Sequence, residues 1–248
     1  VYYGRFGASS AEEMLLARID PRLRAPVPLN SYPRARHAIP DLASRVPTFA
    51  AYADASVETV LGPSMSRVSK SAAVTLDQMV FLNRGTTFER HALPAEAQLA
   101  PASYAGVADF DGDGREDLFL SQNFFPTAVG LPRYDSGRGL LLLGDGAGGL
   151  VPMDGMRSGI AVYGDQRGAA YADFDGDGRL DLAISQNADQ TRLFRNRGAT
   201  PGLRVRVQGP PGNPDGIGAQ LRLVYADGMG PVREVQRGSG YWSENGAV

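Results

Sequence analysis

Residues 109–117 read Asp-Phe-Asp-Gly-Asp-Gly-Arg-Glu-Asp, and 64 residues further on, residues 173–181 read Asp-Phe-Asp-Gly-Asp-Gly-Arg-Leu-Asp. Four aspartates within nine residues repel one another at neutral pH unless a cation sits among them. A chain that does this twice must therefore form two tight turns that converge carboxylates, and each turn calls for a positive charge. The likeness extends past the loops. Between residues 106–123 and 170–187, thirteen of eighteen positions are identical, which marks an internal repeat.

Each loop follows a short apolar segment (Gly106-Val107-Ala108; Ala170-Tyr171-Ala172) and precedes Asp-Leu-Phe-Leu-Ser-Gln-Asn or Asp-Leu-Ala-Ile-Ser-Gln-Asn, so strand, tight loop, strand is the expected unit. The outgoing strands are apolar at consecutive positions, Leu118-Phe119-Leu120 and Leu182-Ala183-Ile184, which predicts burial on both faces. Residues 139–143 and 149–153 read as a hairpin around Gly144-Asp145-Gly146-Ala147-Gly148. Residues 79–85 match 191–198 in style. With 31 Gly and 17 Pro, the chain reads as mainly β and rich in turns. A period near 60 residues fits one four-stranded propeller blade with long loops.

The start of the chain reads as a decayed third copy, residues 1–35. Setting Arg5 at loop position one puts Gly7 at three, Ser9 at five and Glu13 at nine, before Met14-Leu15-Leu16. Only the last carboxylate survives, so the turn is expected without an ion. Residues 36–78 change pattern, with Ile39, Leu42, Val46, Phe49, Tyr52, Val57, Val60 and Leu61 near helical spacing. Thr48 after Pro47, and Ser56, are the expected helix starts, and the segment reads as a short helical insertion. Residues 79–200 hold the two intact repeats, and 201–248 form a C-terminal β segment.

Calcium takes six to eight hard oxygen ligands, and acidic loops supply them from alternate positions. The first loop offers the side chains of Asp109, Asp111 and Asp113, the main-chain carbonyl of Arg115, and Asp117 to close the shell. The second repeats this with Asp173, Asp175, Asp177, the Arg179 carbonyl and Asp181. Gly112 and Gly114 permit the backbone bends. An EF-hand would need an acid at position twelve and flanking helices, but that position is Leu120 or Ile184. Magnesium prefers fewer protein ligands and more water. Two bound Ca2+ ions are the expectation.

Asp-Phe-Asp-Gly-Asp-Gly-Arg-x-Asp-Leu, with its trailing Gly-Asp-Gly-x-Gly-Gly-Leu hairpin, resembles the FG-GAP or VCBS repeat of integrin-α-like β-propellers. The resemblance implies a partial β-propeller of such blades, with calcium held by the ten positions named above and not by the Arg5 copy. The stretch from Asn213-Pro-Asp-Gly-Ile-Gly-Ala-Gln, followed by Arg233-Glu-Val-Gln-Arg-Gly-Ser-Gly-Tyr-Trp-Ser-Glu-Asn, resembles the ASPIC/UnbV segment found in proteins similar to cartilage acidic protein. It stops before that segment's usual closing Phe-Gly-Leu-Gly. Three blades fall short of the four to eight of closed propellers. The expectation is therefore further repeats before Val1 and a closing strand after Val248, or neighbouring chains that cover faces built from Leu118, Phe119, Leu120 and Ile184.

Rival chemistries find less support. The net charge of −2 does not suggest a nucleic-acid partner, and eight of the 27 acids are the loop aspartates. The absence of cysteine excludes disulfides and Cys-type zinc sites. No run approaches the roughly 18 apolar residues of a membrane span. Gly144-x-Gly146-x-x-Gly149 matches a dinucleotide fingerprint, yet Leu150-Val151-Pro152 follows where a helix should open. His37 and His91 sit in no zinc pattern. The carboxylates a glycosidase would need, Glu12, Glu13, Glu89, Glu96, Asp135, Asp154, Asp165 and Asp189, are scattered. Phe124-Phe125-Pro126 and the stretch from Tyr163 to Arg167 are candidate partner-facing loops, with packing on a neighbouring blade the favoured role; Trp242 is read as core.

These readings point to a non-enzymatic, calcium-binding interaction or adhesion module outside the cytoplasm, secreted or periplasmic, with a protein or glycan partner. The alternatives are an accessory subunit of a larger membrane-associated or extracellular complex, and part of a carbohydrate-active enzyme.

Overall fold

The structure is a computed structural model that describes residues 1–7, 11–127, 131–226 and 228–245. Two compact units divide the chain, Val1–Leu76 and Asp77–Val248. Short β-strands predominate over the chain as a whole, although the first unit holds more helix than strand. Among the described residues, no helix is long and apolar enough to cross a membrane.

In the first unit, β1 (Tyr2–Gly4) pairs antiparallel with β2 (Glu13–Leu15), and Gly4 lies opposite Glu13. The expected turn is therefore present, although Ser9 lies outside the described residues. Strands β3 (Ala17–Asp20) and β4 (Ala25–Pro28) form a second hairpin. Four short helices follow: α1 (Tyr32–Ala38), α2 (Leu42–Arg45), α3 (Phe49–Ala53) and α4 (Val57–Leu61). Thr48 and Ser56 cap α3 and α4, each side chain accepting from the N–H three residues on. The helical stretch opens at Tyr32, ahead of residue 36, because Pro33 fits the first turn of a helix. After a 3-10 turn over Gly62–Arg67, β5 (Val68–Lys70) returns to pair with β1. Tyr2, Phe6 and Leu15 pack with Ile39, Leu42, Val57 and Leu61 in one buried cluster.

The second unit opens with a hairpin, β6 (Met79–Asn83) and β7 (Phe88–Ala92), and the short helix α5 (Ala95–Gln98). Then β8 (Ala102–Ala108), β9 (Asp117–Gln122), β10 (Leu140–Gly144) and β11 (Leu150–Pro152) form an antiparallel meander. Residues 145–149 are the turn of the β10–β11 hairpin, and β11 follows where a dinucleotide site would start a helix. After the one-turn helix α6 (Gly155–Ser158) comes the second sheet, from β12 (Gln166–Ala172), β13 (Asp181–Gln186) and β14 (Asp189–Phe194). The pair β15 (Gln220–Tyr225) and β16 (Gly228–Glu234) forms a separate hairpin. Last, β17 (Glu244–Asn245) lies parallel to β12 and completes the second sheet as its fourth strand. Among the described residues, the sheets do not close into a barrel or ring.

Every residue of β9 is buried, and its two faces serve different clusters. Phe119 packs with Leu141, Ala169, Leu182 and Ile184 between the two four-stranded sheets. Leu118 and Leu120 face Leu93, Ala97, Leu140 and Leu142 on the other side. Full burial of a side chain like Phe119 contributes about 2–3 kcal/mol. This corrects the expectation that Leu118, Phe119, Leu120 and Ile184 form faces left open by the chain, because the α5 layer and the second sheet cover them.

The ends of the strands away from the Asp loops are joined by polar groups. Ser121 Oγ donates to the Arg167 carbonyl (2.6 Å), and the Gln122 N–H donates to Gln166 Oε1 (3.2 Å). Asn123 Nδ2 donates to the carbonyls of Gly137 and Gly164, both at 3.0 Å. The Ser-Gln-Asn that ends the repeat thus fixes one sheet on the next through buried, satisfied bonds. Here Phe124 lies under the Arg167 guanidinium and Phe125 under that of Arg133, each 5.1 Å from the ring centre, while Tyr163 is exposed. Trp242 is not core: it is 83% exposed, since the main chain around it lies along β12, with the Ser243 side chain bonded to the Ala169 N–H.

Candidate metal centre

Both Asp loops close the same hairpin. Ala108 pairs with Asp117 across β8 and β9, and Ala172 with Asp181 across β12 and β13, the register that Gly4 and Glu13 share in the first unit. Eight residues make each turn, with Gly112, Gly114, Gly176 and Gly178 all at φ between +76° and +87°, where a side chain is strained.

In the first loop, Asp109 organises the turn. Its Oδ1 accepts from the N–H groups of Gly112 (2.8 Å) and Asp113 (3.1 Å), and its Oδ2 from Gly114 (2.9 Å). Asp111 Oδ1 accepts from the Asp113 N–H at 3.2 Å. Asp117, buried at the start of β9, accepts from the N–H groups of Phe110 (2.8 Å) and Gly144 (2.9 Å). Carboxylate oxygens of Asp109, Asp111 and Asp117 all lie within 4.8 Å of one another. Asp113 stands apart from this group, with Oδ1 on the Arg115 N–H and Oδ2 3.4 Å from the Arg115 guanidinium.

Burial pushes the Asp117 carboxyl up, and the charges of Asp111 and Asp109 add to it. Burial raises Asp111 as well, followed by repulsion from Asp113. A cluster whose protein surroundings disfavour its own charge is one that a bound cation relieves.

The second loop repeats the frame with a different membership. Asp173, Asp175 and Asp177 converge within 4.8 Å, and the Asp181 carboxylate is taken by the N–H groups of Phe174 (3.2 Å) and Asn196 (2.8 Å). Asp173 Oδ2 accepts from the Gly178 N–H at 3.2 Å, but its Oδ1 is buried without a protein partner. Asp177 pairs with Arg179 (3.2 Å) and Arg195 (3.3 Å). Although burial works the other way, the Arg179 N–H and the two guanidiniums hold its carboxyl below the usual range. An orphaned carboxylate oxygen among hard oxygen donors fits a divalent cation of the calcium or magnesium type. Of the ten expected ligands, each loop thus gathers three side chains. The Arg115 and Arg179 guanidiniums turn onto Asp113 and Asp177.

One segment links the loops. Asn196 Nδ2 donates to the carbonyl of Phe110 in the first loop (2.7 Å) and of Leu180 in the second (3.2 Å). The Thr200 N–H donates to the Asp111 carbonyl (3.2 Å), and the Gly202 N–H to Gly178 (2.7 Å). Reading the repeat alone misses this strap, because the partners of the Asn196–Phe110 bond lie 86 residues apart in sequence. The available signal was the Arg195-Asn196 pair that follows β14.

Among the described residues, no other group of three His, Asp or Glu converges. Three of the eight carboxylates considered for glycosidase work have structural partners: Asp154 caps α6, Glu89 pairs with Arg84 and His91, and buried Asp165 pairs with Arg167. No family model matches the chain, and no curated protein matches it significantly.

Proposed function

We propose that this chain is a calcium-binding, non-enzymatic interaction or adhesion module that works outside the cytoplasm, built on propeller-type blades. The observation that carries the reading is the convergence of three carboxylates in each of two loops with one register. The blade reading draws support from two stacked four-stranded sheets, each starting with the same strand, Asp loop, strand unit. Extracellular modules bind calcium with dissociation constants of about 10⁻⁴–10⁻³ M, which only compartments outside the cytoplasm saturate. With the loop aspartates committed to an ion, recognition of a protein or glycan falls to the other loops.

Chelation is expected to lower the melting temperature by several degrees relative to millimolar calcium. The double variant Asp111→Ala with Asp175→Ala should lose that sensitivity. Melting that ignores both chelator and calcium in the unaltered chain would sink the proposal.

A further inference from the structure

The two Asp loops differ in one neighbour. Leu142 pairs with Leu118 across β10 and β9, and Phe194 with Leu182 across β14 and β13. The N–H groups two residues further along, those of Gly144 and Asn196, donate to Asp117 Oδ1 and Asp181 Oδ1 in the same way. Leu143 and Arg195, between these points, therefore occupy equivalent places. Leu143 packs against the core between the sheets. Arg195 instead reaches over the second loop, with Nε on Asp175 Oδ2 and Nη2 3.3 Å from Asp177 Oδ2. In the first loop Asp111, the counterpart of Asp175, has no such ion pair among the described residues.

The Arg195 fork thus holds one oxygen from each of two of the three carboxylates that converge in the second loop. A divalent ion drawing on those oxygens must detach the guanidinium or bind against its charge at close range. The first loop sets no such condition. We propose that Arg195 is a tethered cation competing with metal for the second loop, so that the two sites fill in order, the first loop before the second. The inference rests on the reading that both loops bind calcium. An exposed guanidinium making two pairs sets a difference of about tenfold in affinity.

The test is calorimetric titration of the ion-stripped chain with calcium. The unaltered chain should show two steps about tenfold apart, the weaker one missing in Asp175→Ala and the tighter one missing in Asp111→Ala. Arg195→Leu, which installs the first repeat's residue, should tighten the weaker step about tenfold. Arg195→Gln should do the same, and its amide keeps a polar side chain at an exposed position should leucine impair folding. Two equal steps in the unaltered chain, or arginine variants whose weaker step is unchanged or weakened, would overturn the inference and leave the calcium reading standing. No binding in the unaltered chain would remove both.

Discussion

Phe110 and Phe174 hold the same place in the two Asp loops, one residue after the first aspartate. Phe110 is 6% exposed and meets Tyr171 of the second sheet edge-on, ring centres 5.5 Å apart; Phe174 is 74% exposed. The same nine-residue frame is thus held in two ways. The first loop is wedged into apolar packing and under the Thr200 strap. The second leaves Phe174 in solvent and is held by Arg195 and Arg179 on its carboxylates together with the strap's bond from Gly202 to Gly178. Loop shape is therefore local, set by glycines and carboxylate-to-amide bonds, while loop rigidity is borrowed from the surroundings.

The largest effect expected from this contrast is at the phenylalanines. Phe110→Ala removes a buried ring from the cluster between the sheets and should cost about 3–4 kcal/mol in urea unfolding. Phe174→Ala should stay within about 0.5 kcal/mol. Equal losses at the two positions would mean that Phe174 is covered in solution, and the contrast would fail.

The glycines sharpen the same comparison while holding backbone strain constant. Gly112 and Gly176 have φ of +76° and +78°. A Cβ on Gly112 would lie 2.4 Å from the Thr200 carbonyl oxygen and 2.6 Å from its nitrogen, whereas one on Gly176 meets nothing within 4 Å. Alanine at 176 should therefore cost only the left-handed conformation, about 1 kcal/mol, and alanine at 112 about 2–3 kcal/mol because the strap must move. Since that strap also touches Gly178, Gly112→Ala should weaken calcium binding at the second loop as well as the first, whereas Gly176→Ala, whose Cβ meets nothing, should leave binding at the first loop unchanged. Equal unfolding costs for the two alanines would show that the strap is not seated on the first loop.

Legibility from sequence follows the range of the interactions. The Asp turns, the β10–β11 hairpin and the caps at Thr48 and Ser56 were readable because each depends on residues within about ten positions of one another. Burial of β9 on both faces was readable from Leu118-Phe119-Leu120 alone. What covers it was not, since Ala97 and Ile184 reach it from opposite directions in sequence. Which three carboxylates of each Asp set converge was equally hidden: spacing treats the two loops alike, yet Asp117 converges in the first and Asp177 in the second, although Asp117 and Asp181 accept the same pair of main-chain amides. Trp242 misled because a lone tryptophan usually buries its ring, whereas here the adjoining main chain supplies the contact with β12 and the ring is left outside.

The first unit extends the comparison to a hairpin with the same register and no Asp cluster. Its support is the apolar cluster beneath β1 and β2 and the packed helices, among them α3, whose Tyr52 donates to the Asn30 carbonyl at 2.8 Å. Burial pushes the Tyr52 hydroxyl up to about 12. A group whose pKa is higher in the folded state than its ordinary 10 contributes stability that is complete below pH 10 and is lost as the pH rises through about 12. Because the ring is only half-buried, solvent screening reduces the effect to about 1 kcal/mol. Unfolding of this unit, followed by the fluorescence of its tyrosines, should therefore show an alkaline loss between pH 10 and 12 that calcium does not alter. Tyr52→Phe should lower stability by about 1 kcal/mol at neutral pH through the lost hydrogen bond and flatten the alkaline slope. A slope that persists in Tyr52→Phe would assign it to another tyrosine, and a slope that responds to calcium would show that the first unit does not stand independently of the ion sites.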